Sequence, residues 1–348
     1  MRRLTIVLTV VALTAAAAPS PAQVYPERIR SVSRTPVREP AAELYQRGSS
    51  RETETERFTR TVKVGTDGEI DVSNISGDIV VTLGSGEEAT IEVVKTARAQ
   101  SADDARALLP LVQVDIADRG NRVEIRTRYP GQQELRRLNR RNANVSVAFN
   151  ISAPESARIT ARSISGEISV RDIRGDLQLE SVSGTLRIVN GGRVTGAKTI
   201  SGNVEISDTR SDGGLEASSV SGNVEMRAVA ARRVTAGSIS GNVILQDVAS
   251  ERVSGQAISG SVRFGGELTP SGRYDLKSHS GDVRLVVAGS TGFELDASSF
   301  SGNVRSDVPI TIRGGDRRRQ RSISGTWGDG SAILELTTFS GSIVIGRR

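Results

Sequence analysis

The feature that most constrains this chain is a Ser-Gly pair that recurs at a nearly constant spacing. From Ser165 to Ser301 the steps between copies are 18 to 21 residues, and an isolated earlier copy begins at Ser76. The regular copies begin at Ser165, Ser183, Ser201, Ser221, Ser240, Ser259, Ser280 and Ser301, and two further copies begin at Ser324 and Ser340. A fixed period of this kind indicates a stack of similar units that bury their apolar residues against one another.

Apolar residues keep fixed positions around each pair. They occupy the position before the serine, as in Ile200 and Val220, and the third and fifth positions after it, as in Val204 and Ile206. On one continuous strand these positions and the glycine share a face, so we expect them to point inward and the serine to point outward. A further apolar column lies six residues before the serine in many copies.

These columns predict an all-β fold, a β-solenoid resembling a parallel β-helix and built from coils of about 19 residues. Coils about 4.8 Å apart would make a rod on the order of 45 Å long. The glycine could mark a bend or a place where no side chain fits, and the sequence does not separate these two readings. A β-sandwich is the competing fold, but its strands need no common register, so the strict columns argue against it.

The first 22 residues are typical of a secretory signal peptide. Arg2 and Arg3 precede an apolar run at 4–18, which is short for a membrane span. The small residues at 20–22 predict a mature chain that begins at Gln23, with cleavage four residues earlier as the alternative. We therefore expect export to the periplasm, the cell surface or the medium, and no transmembrane segment in the mature chain.

Composition divides the remainder into three parts. Residues 23–57 lack periodicity and are predicted to be a flexible tether. Residues 58–144 are predicted to form a β-rich module with one short helix at 101–109, capped by Ser101. Residues 145–348 would form the solenoid and a C-terminal cap, where most of the few aromatic residues gather.

The absence of cysteine excludes disulfides, thiolate metal sites and a thiol nucleophile. The single histidine, His279, stands in the apolar column before the serine, and we expect it to pack in the core rather than to act in catalysis. Carboxylates two residues after the serine, such as Asp78, Glu167 and Asp282, are not on neighbouring coils in sequence order, and glycoside hydrolysis needs a pair. We predict a protein that is not an enzyme, with no metal ion and no cofactor.

Three groups of residues are candidates for binding or structure. Two arginine clusters could meet polyanions, Trp327 lies between glycines, and serine and asparagine columns would stack as a polar ladder between coils. The clusters are Arg136, Arg137, Arg140 and Arg141, and Arg317, Arg318, Arg319 and Arg321; the ladder is Ser201, Asn203, Ser221, Asn223, Ser240 and Asn242.

Segments such as 199–206, 219–226 and 238–245 share the pattern Ile/Val-Ser-Gly-Asn-Val, and they resemble the bacterial putative-adhesin β-strand-repeat family, a domain of unknown function. The resemblance spans roughly 58–348. It implies an exported or envelope protein and transfers no catalytic residue.

Together these features favour a non-enzymatic protein that acts in adhesion, scaffolding or envelope sensing through one surface face. Its partners would be an envelope glycan, a lipid headgroup or a protein, and the mild net charge of +4 after loss of Arg2 and Arg3 (44 basic minus 40 acidic residues) disfavours nucleic acid. The alternatives are a polysaccharide-active β-helix enzyme that uses outward carboxylates, and a polyanion binder that uses the arginine clusters. The enzyme would cleave glycans, whereas binding by the polyanion binder would weaken steeply with salt.

Overall fold

The computed structural model describes residues 52–137, 144–312 and 321–348, and within them the fold is all-β and solenoid-like, as predicted. Two short helices and one 3-10 turn interrupt the strands near the N-terminal end. The elements of this first part are β1 Glu52–Lys63, β2 Glu69–Ser76, β3 Ile79–Leu83, β4 Glu88–Ala99, α1 Ala102–Leu108, the 3-10 turn Leu109–Leu111, β5 Gln113–Asp118, β6 Arg122–Arg128, α2 Gln132–Arg137 and β7 Val145–Ala153.

The remaining strands follow the repeat. They are β8 Arg158–Ser165, β9 Ile168–Arg171, β10 Leu177–Ser183, β11 Leu186–Val189, β12 Val194–Thr199, β13 Val204–Ser207, β14 Arg210–Ser219, β15 Val224–Ser238, β16 Val243–Ala257, β17 Val262–Glu267, β18 Arg273–Ser278, β19 Val283–Ala288, β20 Phe293–Ser299, β21 Val304–Ser306, β22 Thr311–Ile312, β23 Ser322–Trp327, β24 Ala332–Thr338 and β25 Ile343–Arg347. The solenoid strands pair in parallel, with Val204 beside Val224 and Val224 beside Val243.

Each coil has one strand before its Ser-Gly pair and one after it. We number the coils by their position in the stack, which the close approach of successive glycine backbones defines. Coils 1 to 10 carry the glycines Gly77, Gly166, Gly184, Gly202, Gly222, Gly241, Gly260, Gly281, Gly341 and Gly302, in that order.

Stack order differs from chain order at the C-terminal end. The coil of Ser340 lies between the coils of Ser280 and Ser301, because β25 pairs with both β19 and β21. The copy at Ser324 is not a coil, since it lies in β23, which pairs with β20 in antiparallel fashion. The Ser-Gly pair alone therefore fixes neither that a segment forms a coil nor which coil lies beside it.

The N-terminal part is continuous with the solenoid. Strands β2 and β3 form coil 1 and pair with β8 and β9 of coil 2, although 89 residues separate Gly77 from Gly166. The segment between them covers the outer side of coil 1 with β6 and β7. The helix at 102–108 and its Ser101 cap are as predicted, with Ser101 Oγ accepting from the Asp104 amide at 3.1 Å.

The predicted end of the tether needs correction. The proposed tether at 23–57 overlaps β1, which begins at Glu52 and pairs with β4 along its full length. The alternating glutamate and threonine at 52–56 did not predict this strand, because it is an exposed edge strand without buried apolar residues in that part. The signal peptide and most of the tether lie outside the described residues.

The core is made of the columns predicted at the third and fifth positions after the serine and at the sixth position before it. Val204, Ile206 and Leu215 are examples, each at most 1% exposed. Larger side chains fill the last coils, where Phe264 and Tyr274 pack edge to face with ring centroids 5.3 Å apart.

The column directly before the serine is on the opposite face from the one we predicted. Ile200 is 52% exposed, Ile258 is 50% exposed, and His279 is exposed rather than packed in the core. The residue one position earlier is buried instead, as Ser219 shows at 4%. The chain bends at Ser-Gly between the two strands, so the alternation of side chains does not carry across the bend.

The glycine is required because no side chain fits between stacked coils. A Cβ on Gly222 would lie 1.9 Å from the carbonyl oxygen of Gly202, and one on Gly184 would lie 1.9 Å from that of Gly166. Only Gly77 and Gly166 also have a positive φ among the ten. Close backbone approach, more than backbone conformation, therefore explains this column.

Candidate functional site

The most distinctive surface feature is a line of exposed apolar side chains along the solenoid, here called the apolar stripe. It consists of the residue directly before each Ser-Gly pair, and its nine aliphatic or phenylalanine members are 37–67% exposed. In stack order its members are Ile75, Ile164, Val182, Ile200, Val220, Ile239, Ile258, His279, Phe339 and Phe300. Nine steps of about 4.8 Å make the stripe roughly 43 Å long.

A groove of about 1530 Å³ runs beside the stripe over all ten coils. One wall is the stripe, and the other wall is the residue two positions earlier in each coil, such as Lys198 or Ser218. The residues between these walls form the floor and are buried, each at 6% exposure or less. They are Asn74, Ser163, Ser181, Thr199, Ser219, Ser238, Ala257, Ser278, Thr338 and Ser299.

Most floor hydroxyls are occupied by the stack itself. Ser219 Oγ donates to Gly202 O at 2.9 Å and Ser238 Oγ donates to Gly222 O at 2.8 Å. Ser163 and Ser181 are exceptions, since their buried hydroxyls have no partner among the described residues. Both face coils whose glycines, Gly77 and Gly166, have a positive φ. The floor thus offers few free hydrogen-bonding groups to an occupant.

Aromatic rings close one end of the stripe. His279 stacks on Phe339 with ring centroids 5.0 Å apart, and Phe339 stacks on Phe300 at 4.7 Å. Phe300 ends the row and is 67% exposed. Parallel stacking at these distances lets three rings present one continuous apolar edge.

The outer wall of the groove carries a few charged side chains. Lys198 Nζ donates to Glu216 at 2.9 Å, and this hydrogen bond raises the pKa of Lys198. Lys277 Nζ lies 2.9 Å from Asp275, whose hydrogen bond raises the pKa of Lys277. These charges remain exposed at the rim and leave the stripe apolar.

The asparagine column lies outside the stripe and ties coil to coil. Asn203 Oδ1 accepts from the Asn223 backbone amide at 3.0 Å, and Asn223 Oδ1 accepts from the Asn242 amide at 2.8 Å. Each side chain thus bonds to the backbone of the next coil rather than to its side-chain amide. The serines of the same coils, Ser201, Ser221 and Ser240, are exposed at the bend.

The structure does not bring the described arginines of the two clusters together. Arg136 is exposed on α2, in the segment that covers coil 1, whereas Arg321 is exposed beside β23, at coil 10. Arg137 ends α2. Arg140, Arg141, Arg317, Arg318 and Arg319 lie outside the described residues.

Trp327 is half-buried in the C-terminal cap. Its ring lies 5.4 Å from the ring of buried Phe293, and the Arg347 guanidinium lies 5.2 Å from its centroid. Trp327 therefore packs against the last coil, although its position between glycines had suggested an exposed contact residue.

The prediction that carboxylates of this column do not lie on neighbouring coils is wrong for coils 1 and 2. Asp78 and Glu167 do lie on neighbouring coils, because coil 1 stacks on coil 2 despite their separation in sequence. Asp78 Oδ1 accepts from the Glu167 amide at 2.8 Å, and Glu167 lies 3.7 Å from Arg187, so both carboxylates have structural partners. Within the described residues, no three His, Cys, Asp or Glu side chains group closely enough to hold a metal ion.

Sequence reasoning found the members of the stripe and assigned them to the wrong side. The overlooked signal was the column one residue earlier, which carries small hydroxyl residues such as Ser163, Ser181, Thr199 and Ser219 in successive coils. Such residues can be buried when a neighbouring carbonyl accepts their hydrogen bond.

The profile of the Toastrack family (DUF4097) matches residues 267–346. Among solved structures, the chain is similar to a putative adhesin from Parabacteroides distasonis (11% identity, 83% of this chain and 97% of that chain, TM-score 0.45). It is also similar to a putative lipid binding protein from the same species (14%, 84% and 96%, 0.41) and to a putative adhesin from Parabacteroides merdae (11%, 83% and 96%, 0.39). These likenesses are too remote to assign a function, and no curated protein matches the chain. No helix in the described residues is long and apolar enough to cross a membrane.

Proposed function

We propose that this protein is exported and acts without catalysis, in adhesion or scaffolding, by binding through the apolar stripe. The observation that carries the proposal is the exposure of ten stripe residues in one uninterrupted line. A monomeric soluble protein rarely exposes an apolar patch beyond about 300–600 Å², and larger patches mark interaction sites.

The scaffold supports such a role because it fixes the stripe rigidly. From Val182 to Phe300 the stripe residues are held by backbone hydrogen bonds between coils, as between the Ser221 amide and Ile200 O at 2.8 Å. Binding therefore costs little conformational entropy in the backbone, which favours affinity.

The polar features favour structure over chemistry. The Asn203 and Asn223 oxygens are engaged between coils, and the Asp78 carboxylate is engaged in the same way. An outward carboxylate column that is already bonded to backbone amides is poorly placed for acid–base work on a glycan.

The test measures retention, by the immobilised protein, of envelope components and of free copies of the protein itself. Ile239→Lys places a charge in the middle of the stripe and should abolish retention. Ile333→Lys is the matched control, because Ile333 is similarly exposed, at 40% against 46%, and lies outside the stripe. Equal retention by both variants would reject the stripe as the binding surface.

Export is tested separately by N-terminal sequencing of the protein recovered outside the cytoplasm. The expected first residue is Gln23. An uncleaved chain recovered from the cytoplasm would contradict the proposal.

A further inference from the structure

We propose that the partner of the apolar stripe is the stripe of a second copy of this chain, packed antiparallel about a twofold axis. The proposal rests on the proposed function and specifies its partner. Three properties of this face carry it: the area of the stripe, the charges on the outer wall of the groove, and the length over which both run.

The area is what one side of a stable dimer needs. Nine large apolar side chains are 37–67% exposed. Phenylalanine has on the order of 150–250 Å² of surface and the aliphatic residues somewhat less, so the stripe presents roughly 600–800 Å². A standard stable interface buries about 800 Å² on each partner.

The length of the stripe allows two copies to pack along all ten coils. The stripe stands as a ridge beside its own groove, and both run through all ten coils. A twofold axis that is perpendicular to the stack and lies in the plane of this face sets the stripe of one copy against the stripe of the other, and outer wall against outer wall, as an isologous interface requires. Both copies have the same spacing between coils, so the side chains stay in register over the whole length.

The charges on the outer wall select the antiparallel arrangement. When the axis passes between coils 5 and 6, coil 3 faces coil 8, so Glu180 lies opposite Lys277 of the second copy. Arg162 then faces Thr337, and Lys198 faces Gln256. A parallel arrangement would place Arg162, Glu180, Lys198 and Lys277 each opposite its own like charge, although each also has an ion-pair partner within its own chain. Opposite charges across an interface favour association, and like charges disfavour it.

The sizes of the stripe residues fit the same register. The aliphatic side chains of Ile75 and Ile164 would face the rings of Phe300 and Phe339. Val220 would face Ile239 at the centre, beside Gly237, where the wall carries no side chain.

The first experiment measures mass by sedimentation velocity of the full chain over a dilution series through the micromolar range. The wild type should be a dimer. Ile239→Lys should weaken the dimer about a hundredfold or more, because each interface would bury two unpaired charges. Ile333→Lys should leave the dimer unchanged. A wild type that is monomeric throughout the series would overturn the proposal, as would an Ile239→Lys variant that dimerises like the wild type.

The second experiment tests orientation and uses the absence of native cysteine. The double variant Val182→Cys/His279→Cys should form a disulfide-linked dimer on oxidation. Five coils separate the two positions within one chain, about 24 Å, so they cannot be bridged intramolecularly. Each single variant should stay unlinked. Cross-linking by the single variants instead would show a parallel dimer and overturn the antiparallel arrangement.

Other occupants give distinct outcomes. A monomer that releases fatty acid on solvent extraction would show an acyl chain in the groove and refute the dimer. A monomer that retains envelope components through the stripe would also refute the dimer while the proposed function stands. A dimer that retains no envelope component would count against the adhesive role alone, because the paired stripes are then covered by each other.

Discussion

Replacing Gly222 with alanine tests whether close stacking of glycine backbones holds the solenoid together. The added Cβ would lie 1.9 Å from Gly202 O, whereas real Cβ contacts essentially never fall below 3.0 Å. Coils 4 and 5 would therefore have to separate by about 1.1 Å at this point, because the contact is between rigid backbone groups.

The cost follows from the bonds that span this gap. The Ser221 amide bonds to Ile200 O at 2.8 Å, Ser219 Oγ bonds to Gly202 O at 2.9 Å, and the Asn223 amide bonds to Asn203 Oδ1 at 3.0 Å. An opening of about 1.1 Å takes all three beyond hydrogen-bond range. At roughly 0.5–1.5 kcal/mol for each of the three bonds, Gly222→Ala should lower the free energy of unfolding by about 1.5–4.5 kcal/mol.

The assay is urea unfolding followed by far-ultraviolet circular dichroism, with hydrogen exchange of peptides from coils 4 and 5 as a local readout. Gly237→Ala is the matched control, because its nearest contact would be Gln256 O at 3.9 Å. We expect this control to be neutral or slightly stabilising, since alanine has less conformational entropy to lose in a strand. Neutral surface substitutions change the free energy of unfolding by less than about 0.5 kcal/mol. If both variants stay within that range of the wild type, close packing of the glycine backbones does not hold the coils together.

Three further predictions concern single side chains. Ser219→Ala should lower the free energy of unfolding in urea by about 1 kcal/mol because Gly202 O loses a donor. Ser181→Ala should be neutral because the Ser181 hydroxyl has no partner among the described residues. Equal costs for the two variants would contradict this. Ala228 has a φ of 50° at a position where other coils carry Asp172, Asn190, Asp208 or Asp247. Because asparagine tolerates this left-handed conformation better than alanine, Ala228→Asn should raise the free energy of unfolding by about 0.5–1 kcal/mol. A lower free energy of unfolding would refute the assignment of strain. Burial raises the pKa of Tyr129 from 10.0 to about 12, so its contribution to stability is complete below pH 10 and is lost as the pH rises through 12. Tyr129→Phe should therefore flatten part of the alkaline fall in the unfolding midpoint, and an unchanged pH profile would disprove the coupling.

The architecture could be predicted from the sequence because it depends on repetition. Each coil needs valine, isoleucine or leucine at the same inward positions, and these columns are visible without a structure, as at Val204 and Val224. The glycine column was also visible, but its reason required three dimensions, because only the neighbouring coil shows that Gly202 O occupies the space of a side chain.

The face of the stripe could not be predicted by alternation alone. A single bend at Ser-Gly shifts the parity of every residue on one side, so Ile200 points outward although Val204 points inward. Stack order was equally hidden, since Ser340 follows Ser301 in the chain but precedes it in space. Both errors arose from treating a one-dimensional pattern as a straight strand and an ordered stack.

The placement of coil 9 has a consequence for how such a chain can change in length. Coil 10 is synthesised before the coil on which it rests, so residues 293–306 have no β-partner in the stack until residues 332–345 arrive between them and coil 8. At the other end, coils 1 and 2 are in contact but are separated along the chain by the segment that covers the outer side of coil 1. Duplication of a terminal repeat would therefore not extend the rod, and new coils can be inserted only among coils 2 to 8, where chain order and spatial order agree.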